Sequence, residues 1–363
     1  MRCDNACPSP VPLSQMHNTA RGEYVEGQAP SLWNFEDSLA AGEYREALAY
    51  LRDVPSELSI EFCRNRVLSN YGTLAGLGSK VPRLANLVMG NRVTKWANDR
   101  FVGIAAEREF ADQTFREWWR ECGGPRVESE NKRVAYFHGD YSNYTTPEVA
   151  KAMVRVYEYF GYEIRVPTQR CSGTPMFANG MLRDARRAAE VNIANLSEFV
   201  DRGYDVIASC TSCSMALRQE YPELFDFEGT REVSIHTYEA LEYLRIHEDL
   251  EEELRESEAD FPDLAYHAPC HARNQGLDRQ AIELFDELDS IEVEDVGDSC
   301  SGISGTYGWK SEKYEKSMEI GRKCSTTWKT PQARPGSRSV RPVRCRWDMV
   351  RAMTSATRSK LHS

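Results

Sequence analysis

Apolar positions along the 363-residue chain change their period once, near Lys132. Before that point they recur every three to four residues. FEDSLAAGEYREALAYLRDV, VPRLANLVMGNRVTKWANDRFVGIA and FADQTFREWW each place an apolar stripe on one side, so residues 34–122 are expected to be helical. Gly123-Gly124-Pro125 stops the pattern, and the polar run VESENKR follows. Residues 1–25 carry no such period and read as loop. After Lys132 short β-rich runs alternate with helical ones. VAYF (134–137) precedes a helix from Pro147 to about Phe160, EIRVP (163–167) precedes one near 180–200, and YDVIAS (204–209) runs into Cys210 and another helix. LAYHA (264–268) and IEVEDV (291–296) flank a helix near 277–288. This alternation predicts an α/β fold with mostly parallel strands. In such sheets ligands bind beyond the carboxyl ends of the strands, where Asp140, Cys171, Cys210, Cys270 and Cys300 fall.

The second half repeats itself at an interval of 130 residues. Tyr136-Phe137-His138-Gly139-Asp140 parallels Tyr266-His267-Ala268-Pro269-Cys270, and Cys171-Ser172-Gly173 parallels Cys300-Ser301-Gly302. Asp140 to Cys171 is 31 residues and Cys270 to Cys300 is 30. Shared spacing and shared dipeptides imply a tandem duplication. The first unit continues to Cys210-Thr211-Ser212-Cys213; the second should hold a similar pair near residue 339 and does not.

Composition sharpens this picture. Hydrophobic residues make up 41% and aromatics 10%, enough for real cores. No run approaches about 18 consecutive apolar residues, so no spanning helix is expected, and the start lacks the layout of a secretory signal. The net charge is −11, unevenly spread. Residues 324–363 hold nine Lys/Arg and one acid, Asp348, which leaves an acidic body with 36 basic and 55 acidic side chains. Such a body does not bind nucleic acid through its phosphates. Only 10 of the 45 basic residues are Lys, and high acid with little Lys suits a halophilic cytoplasm. The abrupt basic end is either a genuine tail or an aberrant C-terminus that replaced a final strand, Cys pair and helix; the second is expected.

Eleven cysteines, an odd number, sit largely in short motifs, which favours metal or redox use over structural disulfides. Thiolates at strand ends with glycine beside them can converge on one centre, because glycine permits tight turns and close approach. Cys210 and Cys213 can hold one ion or cluster, and soft thiolate sets select iron–sulfur clusters or zinc. A dithiol redox switch is the other chemistry open to that pair. Cys63 and Cys122 read as small buried hydrophobes. Cys3-x3-Cys7-Pro8 is the last half of the ferredoxin run C-x2-C-x2-C-x3-C-P, so it completes no cluster by itself. His138, His267 and His271 lie beside the expected sites and can orient ligands. Tyr141, Asn143 and Tyr144, with Tyr307 and Trp309, are expected to wall the pockets. Trp118 and Trp119 with Phe115 read as packing, and the acidic run 247–260 as a solvated helix face.

FHGDYSNYTTPEVAKAM, CSGTPMFANGM, CTSCSMALRQEYPELF, YHAPCHARNQG and CSGISGTYGWK resemble the cysteine-rich CCG repeats found in the B subunits of heterodisulfide reductases. More closely they resemble the iron–sulfur C subunits of anaerobic glycerol-3-phosphate dehydrogenases, over about residues 1–323. The resemblance implies tandem CCG units with mostly parallel strands, preceded by a helical region and a remnant ferredoxin-like segment. The corresponding divisions are 1–25 (partial ferredoxin-type segment), 26–130 (helical), 131–250 (first repeat), 251–323 (incomplete second repeat) and 324–363 (basic tail). It implies [4Fe–4S] clusters held by Cys171, Cys210 and Cys213 in the first repeat, by Cys270 and Cys300 in the second, and by Cys3 and Cys7 in the ferredoxin remnant. Asp140 stands where the family pattern has Cys, and Ser172 and Ser301 replace the second Cys of each CCG. Oxygen is a harder ligand than sulfur, so these changes alter cluster type or affinity. The second site, with two thiolates, is not expected to assemble; the first, with three thiolates and Asp140, can take a cluster or zinc.

The function this implies is electron transfer, from flavin-containing glycerol-3-phosphate dehydrogenase subunits towards membrane quinone. The chain would contact the membrane peripherally at its cytoplasmic face or stay cytoplasmic, and would not bind the substrate itself. The alternatives are the iron–sulfur subunit of a glycolate or lactate oxidase or of a heterodisulfide-reductase-like complex, and a zinc-stabilised or metal-free docking subunit.

Overall fold

The computed structural model describes residues 12–105, 109–256, 264–286, 293–297 and 300–322. Cys3, Cys7 and the basic tail lie outside the described residues.

The first third is helical but more finely divided than its periodicity suggests. It runs through α1 (Leu13–Glu26), α2 (Pro30–Ala40), α3 (Tyr44–Leu51), α4 (Val54–Glu57), α5 (Ile60–Ser69), α6 (Tyr71–Gly78), α7 (Pro82–Gly90) and α8 (Arg92–Ala97). Gly42, at φ +79°, breaks the first expected helix into two. The third expected helix shrinks to α9 (Phe115–Glu121), because Thr114 caps it: its hydroxyl accepts from the Glu117 N–H, and the Glu117 carboxylate accepts from the Thr114 N–H. The reading of residues 1–25 as loop is wrong from Leu13 onward. Helix α1 has little apolar stripe of its own and is held by packing, with Gly22 pressed against Leu182.

Residues 133–239 form a four-stranded, all-parallel sheet in the order β2-β1-β3-β4. The strands are β1 (Arg133–Phe137), β2 (Glu163–Arg165), β3 (Asp205–Ala208) and β4 (Thr237–Glu239). Val134 pairs with Ile164 on one side and Asp205 on the other, and Phe137 with Ala208. Strand β4 escaped the sequence reading, since three residues show no period. Between the strands lie α10 (Gly139–Tyr144), α11 (Pro147–Tyr159), α12 (Thr174–Asn179), α13 (Leu182–Asp201) and α14 (Thr211–Met215). Side chains alternate across the sheet into two cores. Val134, Tyr136 and Ile207 join Met153, Tyr157 and Ile164, while Ala135, Phe137 and Val206 join Ile193, Leu196 and Tyr221.

The second unit is smaller. Strands β5 (Leu264–His267) and β6 (Val293–Gly297) pair in parallel around α15 (Cys270–Asn274) and α16 (Gln280–Asp286). Tyr266, Ala268 and Phe285 enter the same core as Tyr157, so the two repeats share one apolar face. The helical part is fastened to both. Arg64 forks onto Glu312 at 2.9 and 2.8 Å, and Ile104 bridges to Lys310. Phe115 is fully buried with Trp118 and Trp119 packed on it, which gives these rings the structural role the sequence suggests.

Candidate metal centre

In a sheet of order 2-1-3-4 the chain leaves β1 to one side and later returns to the other. The crevice beyond the ends of β1 and β3 is therefore a switch point with no helix across it. The loops after β1, β2 and β3 deliver Asp140, Cys171 and Cys210 there. Cys210 stands two residues beyond β3 in extended conformation as the N-cap of α14, and its carbonyl accepts from the Cys213 and Ser214 N–H groups at 2.9 and 3.0 Å. That turn folds both sulfurs inward.

The four predicted residues come together. The Ser172 hydroxyl donates to Cys213 Sγ at 3.3 Å, bringing the Cys171 loop onto the Cys210 turn. Asp140 lies beside Cys171, and Cys210 beside Cys213, close enough for each to shift the other's titration. Gly139, at φ +69°, lets the β1 loop pass Cys213: a Cβ there would lie 3.0 Å from Sγ. Gly72 of α6 closes the site from the helical part, since a Cβ there would lie 2.4 Å from Asp140 Oδ2.

The electrostatics follow from burial. Asp140 is pushed up to about 6, mainly by desolvation, against the pull of its Cys171 hydrogen bond. Cys171 is raised by burial and by the Asp140 charge. Within the Cys210/Cys213 pair, the hydrogen bond from Cys213 lowers Cys210 and raises Cys213. Cys210 is thus the thiol readiest to ionise.

Two polar residues that the sequence did not single out hold the site in shape. Asn192, fully buried on α13, accepts from the Arg170 N–H at 2.7 Å and donates to the Cys171 carbonyl at 3.2 Å and to the Tyr221 hydroxyl at 3.0 Å. It fixes the Cys171 loop from behind. Arg116 of α9 donates to His138 Nε2 at 3.0 Å and also to the Pro167 carbonyl. His138 therefore donates from Nδ1 to the Gly139 carbonyl at 2.7 Å, and burial with the neighbouring Arg116 charge holds it neutral, down to about 3. Arg116 lies 22 and 51 residues from these partners, so no local pattern reports it. An Asn in the buried stripe Ala185, Ala188, Ala189, Asn192 and Ile193 was the signal for the other.

The second repeat is sparser. Cys270 and Cys300 are both exposed, and Cys270 is raised by desolvation and by Cys300. The Gly302 N–H donates to Cys300 Sγ at 3.4 Å. His267 is buried, and His271 shares a 2.7 Å hydrogen bond with the Ser212 hydroxyl, inside the Cys210 turn. Gln275 ties the same helices, donating to the Thr211 carbonyl at 3.0 Å. Tyr141 and Trp309 pack with Tyr71 of α6 at ring distances of 5.7 to 6.4 Å. Cys63 is exposed and Cys122 half-buried, so neither is the buried small hydrophobe expected.

Among the described residues no three His, Cys, Asp or Glu side chains surround one point at the range of a single metal ion. The donor chemistry of the first site does fit an iron–sulfur group. It has three thiols, glycine at the points of closest approach, and Asp140 Oδ2, a buried oxygen with no hydrogen-bond partner. Among the described residues the second site offers two thiols, Cys270 and Cys300, with Ser301 beside them.

The cysteine-rich CCG domain matches residues 134–218 and 264–334, one match on each repeat. The chain is 30% identical over 265 residues to the C subunit of anaerobic glycerol-3-phosphate dehydrogenase from Escherichia coli, covering 71% of this chain and 66% of that protein. The chain carries the cysteine-rich CCG domain twice. The same CCG chain is 29% identical over 202 residues to the B subunit of the CoM/CoB fumarate reductase of Methanothermobacter marburgensis, covering 54% of this chain and 37% of that one. It is 29% identical over 184 residues to lactate utilization protein A of Shouchella clausii, covering 47% and 72%. The CCG match spans both repeats, so the duplication read from Cys171 and Cys300 is the duplication of a known domain. At 66%, the aligned part is just under two thirds of the Escherichia coli protein.

Proposed function

We propose that this chain is the iron–sulfur electron-transfer subunit of an oxidoreductase complex of the glycerol-3-phosphate dehydrogenase type. It would take electrons from a flavin-containing partner subunit and pass them towards membrane quinone, in peripheral contact with the membrane. The observation that carries the reading is the meeting of Cys171, Cys210, Cys213 and the unpartnered Asp140 oxygen at the switch point of the CCG sheet. An iron–sulfur group held there, of [4Fe–4S] type, would pass one electron at a time between two carriers that each handle two.

This chain's residues supply the rest. Cys210, the lowered thiol, is the first sulfur to give up its proton to a metal. Asp140 would offer oxygen as a fourth ligand, and its carboxyl, raised to about 6 by burial, is largely ionised at neutral pH and so open to a cation. Asn192 fixes the Cys171 loop and Arg116 sets a positive charge behind the site.

Similarity to the fumarate reductase and lactate utilization proteins favours a second reading, in which the same site serves a heterodisulfide-reductase-like or lactate-oxidising complex. Anaerobic purification with iron and sulfide analysis tests the common part. Iron and sulfide are expected in equal amounts and are expected to be lost in Cys210→Ser with Cys213→Ser. Unchanged iron in that variant, or stoichiometric zinc in its place, overturns the proposal. Which flavoprotein co-purifies, one oxidising glycerol phosphate or one oxidising a hydroxy acid, separates the two readings.

A further inference from the structure

Helix α7 carries its polar anchor on the inside and its apolar stripe on the outside. Asn86 faces the body, donating to the Phe110 carbonyl and accepting from the Phe110 N–H, both at 2.8 Å. On the opposite side Leu84, Leu87 and Val88 fall at three-to-four spacing and are 60%, 71% and 50% exposed. Helices on globular proteins turn such a stripe inward. No residue of α7 or α8 is buried. The apolar surface continues through Val93 and Trp96 of α8 to Phe101, which are 70%, 60% and 64% exposed. The rings of Trp96 and Phe101 meet edge-on at 5.6 Å. Single exposed apolar residues are ordinary, whereas a contiguous patch marks a surface that something else covers.

Charge selects the cover. Residues 71–102 hold five basic side chains, Lys80, Arg83, Arg92, Lys95 and Arg100, and one acid, Asp99, in a chain whose net charge is −11. This segment is attracted to an anionic surface that repels the acidic remainder. Trp and Phe beside Leu, with Lys and Arg at the rim, is the chemistry of a helix lying in the bilayer interface. No helix among the described residues is long and apolar enough to cross a membrane.

We propose that α7, α8 and the turn to Val102 dock on an anionic lipid bilayer, Leu84, Leu87, Val88, Trp96 and Phe101 entering the acyl boundary and the basic side chains meeting the headgroups. This names the surface behind the peripheral membrane contact proposed above, and rests on it. It orients the molecule, because a lipid patch on one side leaves the opposite flank free for a protein partner.

Vesicle flotation of the full chain tests it, with phosphatidylglycerol–phosphatidylcholine vesicles against phosphatidylcholine alone. The chain is expected to float with the anionic vesicles. Raising salt to about 1 M, where the Debye length falls to about 3 Å, should release it in part. Leu87→Asp with Trp96→Asp should cut the bound fraction about tenfold or more. Arg92→Glu with Lys95→Glu should remove the preference for anionic lipid and spare the weaker binding to neutral vesicles. These side chains are exposed, so circular dichroism should match the parent; Trp96→Ser alone is the milder check. Absence of flotation, flotation unchanged in Leu87→Asp with Trp96→Asp, or conversion of a dimer into a monomer by that variant overturns the proposal. Iron content is read in the same samples. A chain that floats but lacks iron sinks only the electron-transfer reading, and one that holds iron but never floats sinks only this one.

Discussion

Arg116 Nε donates to His138 Nε2 at 3.0 Å, across the boundary between the helical part and the first CCG repeat. The bond settles which imidazole nitrogen carries the proton and holds a cation behind the thiol cluster. Arg116 is itself lowered by desolvation, and among the described residues no carboxylate forms an ion pair with it. A partly buried cation without an acidic partner favours negative charge in its neighbourhood.

Arg116→Gln should therefore keep iron but lower the reduction potential of the bound group, because a positive charge favours the more negative reduced state. A spectroscopic redox titration reads the shift. An unchanged potential would leave Arg116 a structural residue only.

Asn192→Leu removes a buried amide whose partners are the backbone of Arg170 and Cys171 and the Tyr221 hydroxyl. Each orphaned group costs about 1–3 kcal/mol, and relaxation recovers part of the total, so a loss of about 3 kcal/mol is expected in urea unfolding. Iron content should fall with it, since the Cys171 loop is no longer pinned.

Gly72→Ala sets two effects against each other. Alanine favours the helix by about 1 kcal/mol. The new methyl, however, would stand 2.4 Å from Asp140 Oδ2, and overpacking costs about 1–3 kcal/mol. Sterics should win, lowering the thermal midpoint; Gly90→Ala, whose Cβ meets nothing within 4 Å, should raise or preserve it.

Glu220 is buried with an unpartnered Oε2 and is pushed up to about 8, by desolvation first and Glu223 second. The unfolded chain releases this proton near 4.5, so between about 4.5 and 8 the folded state binds more protons. Stability should fall as pH rises through that window. Glu220→Gln should flatten the decline in denaturant midpoints measured from about pH 5 to 9.

Asp140→Cys replaces the odd oxygen with the family's sulfur. Iron retained per chain after gel filtration should rise, and Asp140→Ala should lower it. Equal retention in all three would remove Asp140 from the ligand set.

The architecture was legible where strands announce themselves. VAYF and YDVIAS became β1 and β3 within a residue, and the Cys-Ser-Gly echo exposed the duplication. The meeting of Asp140, Cys171, Cys210 and Cys213 followed from one rule about strand ends. What failed to show was held by tertiary contact. Helix α1 exists because Gly22 admits Leu182, and β4 because Val206 offers a neighbour for Thr237. The outward stripe of α7 was visible as a period, but not its direction, which depends on Asn86 reaching Phe110. Arg116 was invisible for the same reason: its partners are distant in sequence.

The 2.7 Å bond from His271 to Ser212 changes what the depleted second repeat is for. Two of its expected ligand positions have gone, yet its helix still grips the turn that carries the working sulfurs. The second repeat thus acts as a buttress for its twin. A change that loosens α15 reaches the sulfurs of the first repeat, so the two copies are coupled by force as well as by descent from one pattern.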